Sequence, residues 1–257
     1  MLKGTVHSIE TMGLVDGPGI RVVVFMQGCA LRCQYCHNPD TWSDKGEETL
    51  EFTPEELVNK IARFRSYFER SGGGVTFSGG DPLRQPEFLK ECLRLCKEKG
   101  IHTTLDTSGV GFGNYEEILK YTDLVLFDVK HLTEEGYKEM TGIKIDESLK
   151  FLEACKKCNT KIWIRQVVVP GMTDSEEYIT SLGEFIKTLD NVEKVELLPY
   201  HLLGVNKYEN MGIKYRLDGV PAMDKEKCKE LYKLLNFWNK KNSSKLYKEF
   251  ATIFLLI

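Results

Sequence analysis

The sequence predicts an α/β protein, an open partial TIM barrel of the (β/α)6 kind with a parallel sheet inside and helices outside. Apolar, β-branched runs alternate with helical patterns along nearly the whole chain, which is typical of strand–helix units and a parallel sheet. Six such units are too few to close an eight-stranded barrel. With 257 residues, 42% of them hydrophobic, the chain can bury a core of this size.

Six apolar runs are predicted to be strands, with amphipathic helices between them. The runs are 21–27, 74–78, 102–106, 124–129, 161–169 and 194–198. The first helix is the best marked, because Thr53, Pro54 and Glu56 have the order of a capping box with proline at the first helical position. Four apolar residues then recur at helical spacing and predict a face that packs on the sheet: Leu57, Ile61, Phe64 and Phe68.

Polar and glycine-rich residues follow the carboxyl end of each predicted strand. In parallel α/β folds the active site is assembled from these strand ends. We therefore expect a site at one end of the barrel, whose open side could admit a large partner. The segments are 29–36, 78–81, 106–109, 128–130, Arg165 with 170–171, and 199–201.

Composition excludes several classes of function. The chain has 35 basic and 38 acidic residues, a net charge of -3, and so no excess of basic residues for nucleic acid. Residues 1–7 lack the apolar core of a signal peptide, and no run approaches the ~20 apolar residues of a membrane span. We expect a cytoplasmic protein with no membrane partner, in a compartment where clustered cysteines bind metals or act in redox chemistry.

One domain is predicted over residues 1–240, followed by a tail, 241–257, of unknown role. A polar break at 239–245 precedes an apolar segment at 246–257. This segment is too short to span a membrane, so it is predicted to be a docked terminal segment or a frayed end.

Three cysteines lie close together after the first predicted strand: Cys29, Cys33 and Cys36. Three thiolates are one fewer than a tetrahedral zinc site or a fully ligated 4Fe–4S cluster requires. Four centres match the pattern: c-type haem attachment, structural zinc with His37 as fourth ligand, a redox CxxC pair, and a 4Fe–4S cluster bound through three irons. Haem attachment of this type belongs to exported proteins, and the sequence shows no export signal. A structural zinc site needs the adjacent Cys36 and His37 to face one metal. A redox CxxC pair leaves Cys29 unexplained.

The spacing Cys-x-x-x-Cys-x-aromatic-Cys resembles the motif of the radical S-adenosylmethionine (SAM) enzymes. The resemblance implies one 4Fe–4S cluster held by Cys29, Cys33 and Cys36, with SAM chelated at the open iron. It also implies reductive cleavage of SAM to methionine and a 5′-deoxyadenosyl radical, which abstracts a hydrogen atom. The protein supplies position, electron entry and exclusion of water, while the cofactors carry the difficult chemistry.

Further motifs resemble the pyruvate formate-lyase activating enzymes, a branch of that superfamily. They lie in order between residue 7 and residue 221, at 16–21, 36–42, 71–80, 163–171 and 192–201. The resemblance implies abstraction of hydrogen from the Cα of a glycine in pyruvate formate-lyase under anaerobic conditions, with a flavodoxin or ferredoxin as electron donor. We expect a monomer. Activation of another glycyl radical enzyme, action on a small molecule, and a non-catalytic zinc-stabilised module are the alternatives.

Roles within the family can be carried over position by position. Tyr35 corresponds to the aromatic beside the adenine, and the backbone of Gly79 and Gly80 to the approach to the SAM amino group. Asp81 stands where the family usually has glutamate. The other residues that match positions contacting SAM are Cys36, His37, Asp106, Asp128, Val129, Lys130 and His201.

Two further sites are expected near the cofactor. Asp106 and Asp128 end parallel strands and could share a hard cation with the carbonyls of Thr107 and Leu126. The resemblance implies a monovalent cation there. It also implies that one group of residues holds the backbone of a loop from the partner protein: Asp16, Gly17, Pro18, Gly19, Arg21 and Arg165.

The remaining cysteines are predicted to be structural. Cys92 and Cys96 lie four apart on a leucine-rich helix and are expected in the core. Cys155 and Cys158 close another helix, where an auxiliary ligand pair is the less favoured alternative.

Overall fold

The structure is a computed structural model that describes residues 1–46 and 49–235. The predicted domain boundary at 240 and the tail 241–257 lie outside the described residues. Within them the chain forms eight strands: β1 Gly4–Gly13, β2 Arg21–Met26, β3 Leu50–Phe52, β4 Gly74–Gly79, β5 His102–Thr107, β6 Leu124–Val129, β7 Lys161–Val168 and β8 Val192–Pro199.

The helices follow the strands in the expected alternation. Those described are α1 Pro54–Ala62, α2 Arg65–Ser71, α3 Pro86–Glu98, α4 Tyr115–Leu119, α5 Glu134–Thr141, α6 Asp146–Lys157, α7 Glu176–Lys187, α8 Val205–Asn210 and α9 Lys225–Lys233. Short 3₁₀ turns lie at Pro39–Thr41 and Pro82–Arg84. In the described part of the chain, no helix is both long and apolar enough to traverse a bilayer.

All six predicted strands lie side by side in one sheet, in the order β3-β1-β2-β4-β5-β6-β7-β8. From β2 to β8 every neighbouring pair is parallel. The sheet stays open, because β3 and β8 form its two edges in the described residues. The prediction of an open, mostly parallel partial barrel is therefore confirmed.

The prediction omitted the antiparallel strands β1 and β3, which extend the sheet beyond β2. Strand β1 has two register shifts against β2, and its apolar residues Val6, Ile9 and Met12 stand three apart. Its sequence therefore lacks the alternation that identifies a strand. Strand β3 has only three residues, which is too short for a periodic signal.

The capping box is confirmed. The Oγ1 of Thr53 accepts a bond from the backbone N–H of Glu56, whose carboxylate accepts one from the N–H of Thr53. The apolar face that follows is divided between two helices, because α1 ends at Ala62 and Phe68 lies on α2. Cys92 and Cys96 lie in the core on α3, as predicted.

The two faces of the parallel strands differ in chemistry, since successive side chains point to opposite faces. One face carries apolar side chains that join the main core, such as Phe77, Phe127 and Ile164. Alternate positions carry polar residues instead, of which Asp106 on β5 is half-buried and the others are buried: Thr76 and Ser78 on β4, Thr104 on β5, Arg165 on β7, and Lys194 and Glu196 on β8. Buried polar groups need partners, so this polar face marks the inside of the barrel as the place of the site.

Candidate active site at the carboxyl ends of the strands

A cavity of about 220 Å³ lies at the carboxyl ends of the strands and collects most of the predicted site residues. Residues of the cysteine loop, 29–36, form one wall, and the ends of β4, β5, β6 and β7 form the rest. The lining includes Cys29, Cys33, Tyr35, Cys36, His37, Trp42, Ser78, Gly79, Gly80, Asp106, Thr107, Ser108, Asp128, Lys130 and Arg165. Residues far apart in sequence thus meet in one place.

The three cysteines face this cavity without converging on a single point. Within the described residues, no three histidine, cysteine or acidic side chains come close enough to hold one metal ion. A closed zinc site requires such convergence, so the zinc alternative has no support from the geometry. In a 4Fe–4S cluster each cysteine binds a different iron, and the sulfurs can stand further apart.

Burial makes the three cysteines thiols in the metal-free chain. It raises the pKa of Cys33 to about 12 and raises the pKa of Cys29 and of Cys36. Since the thiolate is the metal ligand, cluster binding must release their protons. The cluster is therefore expected to assemble more readily at high pH, where the thiols lose their protons more easily.

The cysteine loop begins with a close contact between glycines. Gly79 adopts φ 111°, and a Cβ at Gly80 would lie 2.2 Å from the carbonyl oxygen of Gly28. The glycine pair is therefore required for the end of β4 to pack against the start of the cysteine loop. This packing explains the two glycines from within the chain, independently of any approach by a ligand.

Tyr35 and Lys130 form one side of the cavity. The Nζ of Lys130 lies 5.5 Å from the centre of the Tyr35 ring and donates to Oδ2 of Asp128 at 2.8 Å. Burial disfavours the ammonium, but the charge of Asp128 outweighs it and holds the pKa of Lys130 well above its usual range. The Tyr35 hydroxyl is buried and makes no hydrogen bond with the described residues.

His37 packs against His201 at the edge of the cavity. Their rings stack with centres 4.0 Å apart, and Nε2 of His37 lies 3.0 Å from the carbonyl oxygen of His201. Burial lowers the pKa of His37 to about 4, with repulsion from His201 in the same direction. His37 is therefore neutral at neutral pH. His201 and Val129, both predicted to contact SAM, lie outside the lining of this cavity.

Asp106 offers an unsatisfied acceptor at the centre of the site. Its Oδ2 accepts from Oγ of Ser78 at 2.7 Å, while Oδ1 is buried without a hydrogen bond and lies 3.6 Å from Nη1 of Arg165. Burial raises the pKa of Asp106 to about 7, with Arg165 opposing and Asp128 adding to the shift. Of the predicted cation ligands, Thr107 and Asp128 also line the cavity, whereas Leu126 pairs with Asp106 across the sheet.

Arg165 connects this centre to the glycine-rich turn 16–19. Its Nε donates to Oε2 of Glu196 at 3.0 Å, and its Nη2 donates to the carbonyl of Val15. Asp16 lies near enough for Arg165 to oppose the rise that burial causes in the pKa of the Asp16 carboxyl. The sequence analysis missed Glu196, although its alternation with apolar Val195 and Leu197 in β8 is a signal for an inward polar residue.

Arg21 lies at the amino end of β2, away from the cysteine loop, and is fully buried. Its Nε donates to Thr76 at 2.6 Å, Nη1 to the carbonyl of Pro18 at 2.9 Å and Nη2 to Thr104 at 2.8 Å. These bonds hold the glycine-rich turn, in which Gly17 and Gly19 have positive φ. The Arg21 side chain would have to break them to touch another protein, so its predicted contact with a partner loop gains no support.

The segment around α8 holds the cysteine loop from outside, which the sequence analysis did not anticipate. The hydroxyl of Tyr208 donates to the carbonyl of Cys36 at 2.9 Å. The Nζ of Lys207 donates to Oδ1 of Asn38 at 3.0 Å and contacts both carboxylate oxygens of Asp40. These contacts join residues 164 or more positions apart in sequence, for which a single chain carries no local signal.

Asp81 has a structural role at this site. Its buried carboxylate accepts from the N–H of Leu83 at 3.1 Å, the hydroxyl of Thr107 at 2.7 Å, and both the N–H (3.1 Å) and hydroxyl (2.8 Å) of Ser108. Burial raises the pKa of Asp81, and these four donors oppose the shift. The carboxylate thereby ties the glycine turn after β4 to the end of β5.

We expect Asp81→Asn to destabilise the chain by about 2–3 kcal/mol, because an amide offers one acceptor and turns donors toward donors. Urea unfolding of the full chain measures the change. Asp44→Asn is the matched control, since Asp44 is exposed and pairs with Arg84 at the surface; we expect about 0–1 kcal/mol there. Equal effects of the two substitutions would contradict the structural role of Asp81.

The two cysteines of the second pair differ in burial. Cys155 is fully buried on α6, whereas Cys158 is exposed at the helix end. Neither belongs to a group of three potential metal ligands among the residues described. The auxiliary site is therefore not supported.

Comparison with known proteins gives the family. The model of the radical SAM superfamily matches residues 23–182. A pyruvate formate-lyase-activating enzyme of Clostridium pasteurianum is 60% identical over 235 residues, which cover 91% of this chain and 98% of the relative. A protein of the same name from Staphylococcus epidermidis is 48% identical over 244 residues, covering 92% and 97% of the two chains.

Solved structures show the same architecture. A domain of a pyruvate-formate lyase-activating enzyme from Bacteroides vulgatus superposes with a TM-score of 0.53 at 25% identity, covering 65% of this chain and 96% of that domain. Streptococcus suis SuiB, bound to its precursor peptide, gives a TM-score of 0.59 at 17% identity, covering 84% of this chain and 44% of SuiB. The second likeness shows the fold alone. The chain therefore belongs to the radical SAM superfamily and, within it, to the family of pyruvate formate-lyase-activating enzymes.

Proposed function

We propose that this chain activates pyruvate formate-lyase by taking a hydrogen atom from the Cα of one of its glycines under anaerobic conditions. The observation that carries the proposal is the single cavity in which Cys29, Cys33 and Cys36 meet the polar ends of four parallel strands. The relative with 60% identity carries the name of this activity over nearly its full length. The family uses one 4Fe–4S cluster and SAM.

The residues of the cavity fit these cofactors. Two of its lining residues each have a buried polar atom, the Tyr35 hydroxyl and Oδ1 of Asp106, that makes no hydrogen bond with the described residues. When bound, the cluster and SAM supply the radical that abstracts hydrogen. Cys29, Cys33 and Cys36 would hold the cluster, and the backbone of Gly79 and Gly80 would contact the SAM amino group.

The remaining lining residues orient the bound SAM and exclude water. Tyr35 packs beside the adenine, and Lys130 and Asp128 form a paired charge at the cavity wall. His37 is neutral and fixed by its stack on His201, so it contributes shape and a hydrogen-bonding edge without adding charge. Cys36, Val129 and His201 complete the proposed SAM contacts.

The partner's glycine loop is proposed to enter along the glycine-rich turn. Asp16, Gly17, Pro18 and Gly19 offer backbone and carboxylate groups there, and Arg165 positions the turn through the carbonyl of Val15. Arg21 acts indirectly, because its Nη1 donates to the carbonyl of Pro18 and so holds the turn in place. We further propose a cytoplasmic monomer that takes its electron from a flavodoxin or ferredoxin.

A monovalent cation is proposed between Asp106 and Asp128, with the carbonyls of Thr107 and Leu126. Because the pKa of Asp106 is raised to about 7, its carboxylate form is populated above that pH, and a cation should bind more tightly there. We expect KCl, relative to tetramethylammonium chloride, to raise the Tm of the SAM-bound chain more at pH 8 than at pH 6. Each kcal/mol gained in the free energy of unfolding should raise the Tm by roughly 2–4 °C.

Asp106→Asn should remove this difference between the two salts, and Asp44→Asn, an exposed control, should retain it. An equal effect of potassium at both pH values, or an undiminished effect in Asp106→Asn, would exclude the site.

The activity is tested by electron paramagnetic resonance. The reconstituted full chain is incubated anaerobically with pyruvate formate-lyase, reductant and SAM, and a glycyl radical signal is expected in the partner. An intact cluster that yields no such signal would refute the proposal. Signals from another glycyl radical enzyme, or SAM cleavage driven by a small molecule alone, would support the corresponding alternative.

A further inference from the structure

Two exposed arginines lie on the solvent side of the cysteine loop. Arg32 lies between Cys29 and Cys33, is exposed, and donates from Nη1 to the carbonyls of Cys29 and Leu31, both at 2.8 Å. Arg216 is also exposed and donates from Nη1 to the carbonyl of Arg32 at 3.1 Å. Both guanidiniums therefore bind backbone carbonyls of the loop and keep their full charge.

This arrangement contrasts with the other arginines around the site. Arg165 pairs with Glu196, and Arg84 pairs with Asp44. Within residues 1–46 and 49–235, neither Arg32 nor Arg216 takes part in an ion pair. In a chain of net charge -3, the cysteine loop thus has beside it two exposed arginine charges that no carboxylate of the described residues pairs with.

The segment that carries Arg216 adds apolar surface beside this charge. Met211 is 43% exposed and Ile213 is 36% exposed, and Lys214 between them and Arg216 is exposed as well. Protein interfaces are enriched in arginine and methionine. We define the loop face by these five residues: Arg32, Met211, Ile213, Lys214 and Arg216.

We propose that the loop face docks a small acidic protein that carries a one-electron centre, and that the electron enters the cluster there. The inference rests on the proposed function, which requires a cluster reduced from outside. One electron leaves the reduced donor, which is oxidised by one electron, and the oxidised cluster takes it up without a proton. Neither the donor nor the chain gains or loses any atom.

Position and charge both favour this face. Arg32 is flanked by two cluster ligands, and its guanidinium is one hydrogen bond from the carbonyl of Cys29. Electron tunnelling weakens steeply with distance, so a donor seated on Arg32 is well placed to reach the cluster. The positive charge steers an acidic donor to this place, and the exposed Met211 and Ile213 give it an apolar contact.

The loop face also leaves the proposed substrate entrance clear. The glycine-rich turn 16–19 is held by Arg21 and Arg165 inside the barrel, and neither side chain takes part in the loop face. Donor and protein substrate therefore use different residues, and the electron can be delivered before or after the partner binds.

The test measures anaerobic reduction of the cluster in the full reconstituted chain by stopped flow, with a reduced acidic flavodoxin as the probe. We expect R32Q/R216Q to be reduced at least about tenfold more slowly than the wild type at low salt, in the range of electrostatic steering. The wild-type rate should fall with added salt, and the variant should lose most of that dependence.

Two controls separate docking from damage to the site. Dithionite is a small anion that needs no docking, so at high salt, where its attraction to the arginines is screened, its rate should be the same in wild type and variant. R65Q/R70Q removes the same two charges from α2, a helix that leads into the amino end of β4, and should leave the flavodoxin rate unchanged.

If R32Q lowers the iron content, K214Q/R216Q replaces R32Q/R216Q as the test variant, because Lys214 and Arg216 lie outside the cysteine loop. Unchanged flavodoxin rates in an iron-replete variant, or a wild-type rate indifferent to salt, would overturn the proposal. Cluster reduction is read without protein substrate. If glycine activation fails, the measured rate of cluster reduction still tests the docking proposal. The two hypotheses can therefore fail independently.

Discussion

Cys29→Ser, Cys33→Ser and Cys36→Ser are each expected to abolish activation and to lower the iron content of the reconstituted chain. All three side chains line one cavity, and a cluster held through three irons has no spare protein ligand. The rate should fall below about one hundredth of the wild type, since the loss of a mere outer-shell partner already costs about 10–100-fold. Iron quantitation, the spectrum of the reduced cluster and the glycyl radical signal measure the effect.

Cys158→Ser is the matched control. Its thiol is exposed at the end of α6, outside the cavity that the three loop cysteines line. Iron content and radical yield should both equal those of the wild type. Full iron and full activity in any of the three loop variants would refute the assignment of that cysteine as a ligand.

The six parallel strands could be predicted because each carries a long buried run, and the polar strand ends could be predicted because parallel strands end at one edge. Cys33, Asp106 and Asp128 are therefore expected at one site, and the structure brings them together in one cavity. Strand β1 was missed because its register shifts destroy the alternation on which strand prediction depends.

Other features could not be read from the sequence because they depend on tertiary contacts. Tyr208 reaches the carbonyl of Cys36 across 172 residues. The depth of Arg21 is another such feature: the resemblance implies that it helps to hold a partner's loop, whereas its guanidinium is fully buried and bonded to Thr76, Thr104 and Pro18, so that role stays a prediction. A motif gives the residue type and the order, but the depth of a side chain is decided by the packing around it.

The second large effect is expected at Arg165, whose removal should destabilise the chain by about 3–5 kcal/mol. In Arg165→Met, Glu196 loses one of its two cationic partners and Asp106 loses the charge that faces its free oxygen. Urea unfolding of the full chain measures the loss. Arg70→Met removes an exposed arginine from α2 and should change the stability by no more than about 0.5 kcal/mol.

The pH dependence and a double-mutant cycle distinguish this charge network from simple packing. Asp106 has a folded pKa of about 7, above its unfolded value, so the stability it gives at low pH is lost as pH rises toward 7. Without Arg165 the pKa of Asp106 rises further, so stability continues to be lost above pH 7. The destabilisation by Arg165→Met should therefore be larger at pH 8 than at pH 6.

Arg165→Met combined with Glu196→Gln should cost less than the sum of the single changes, by about 0.5–3 kcal/mol. Additive effects, or a destabilisation that does not vary with pH, would mean that Arg165 contributes volume and not charge.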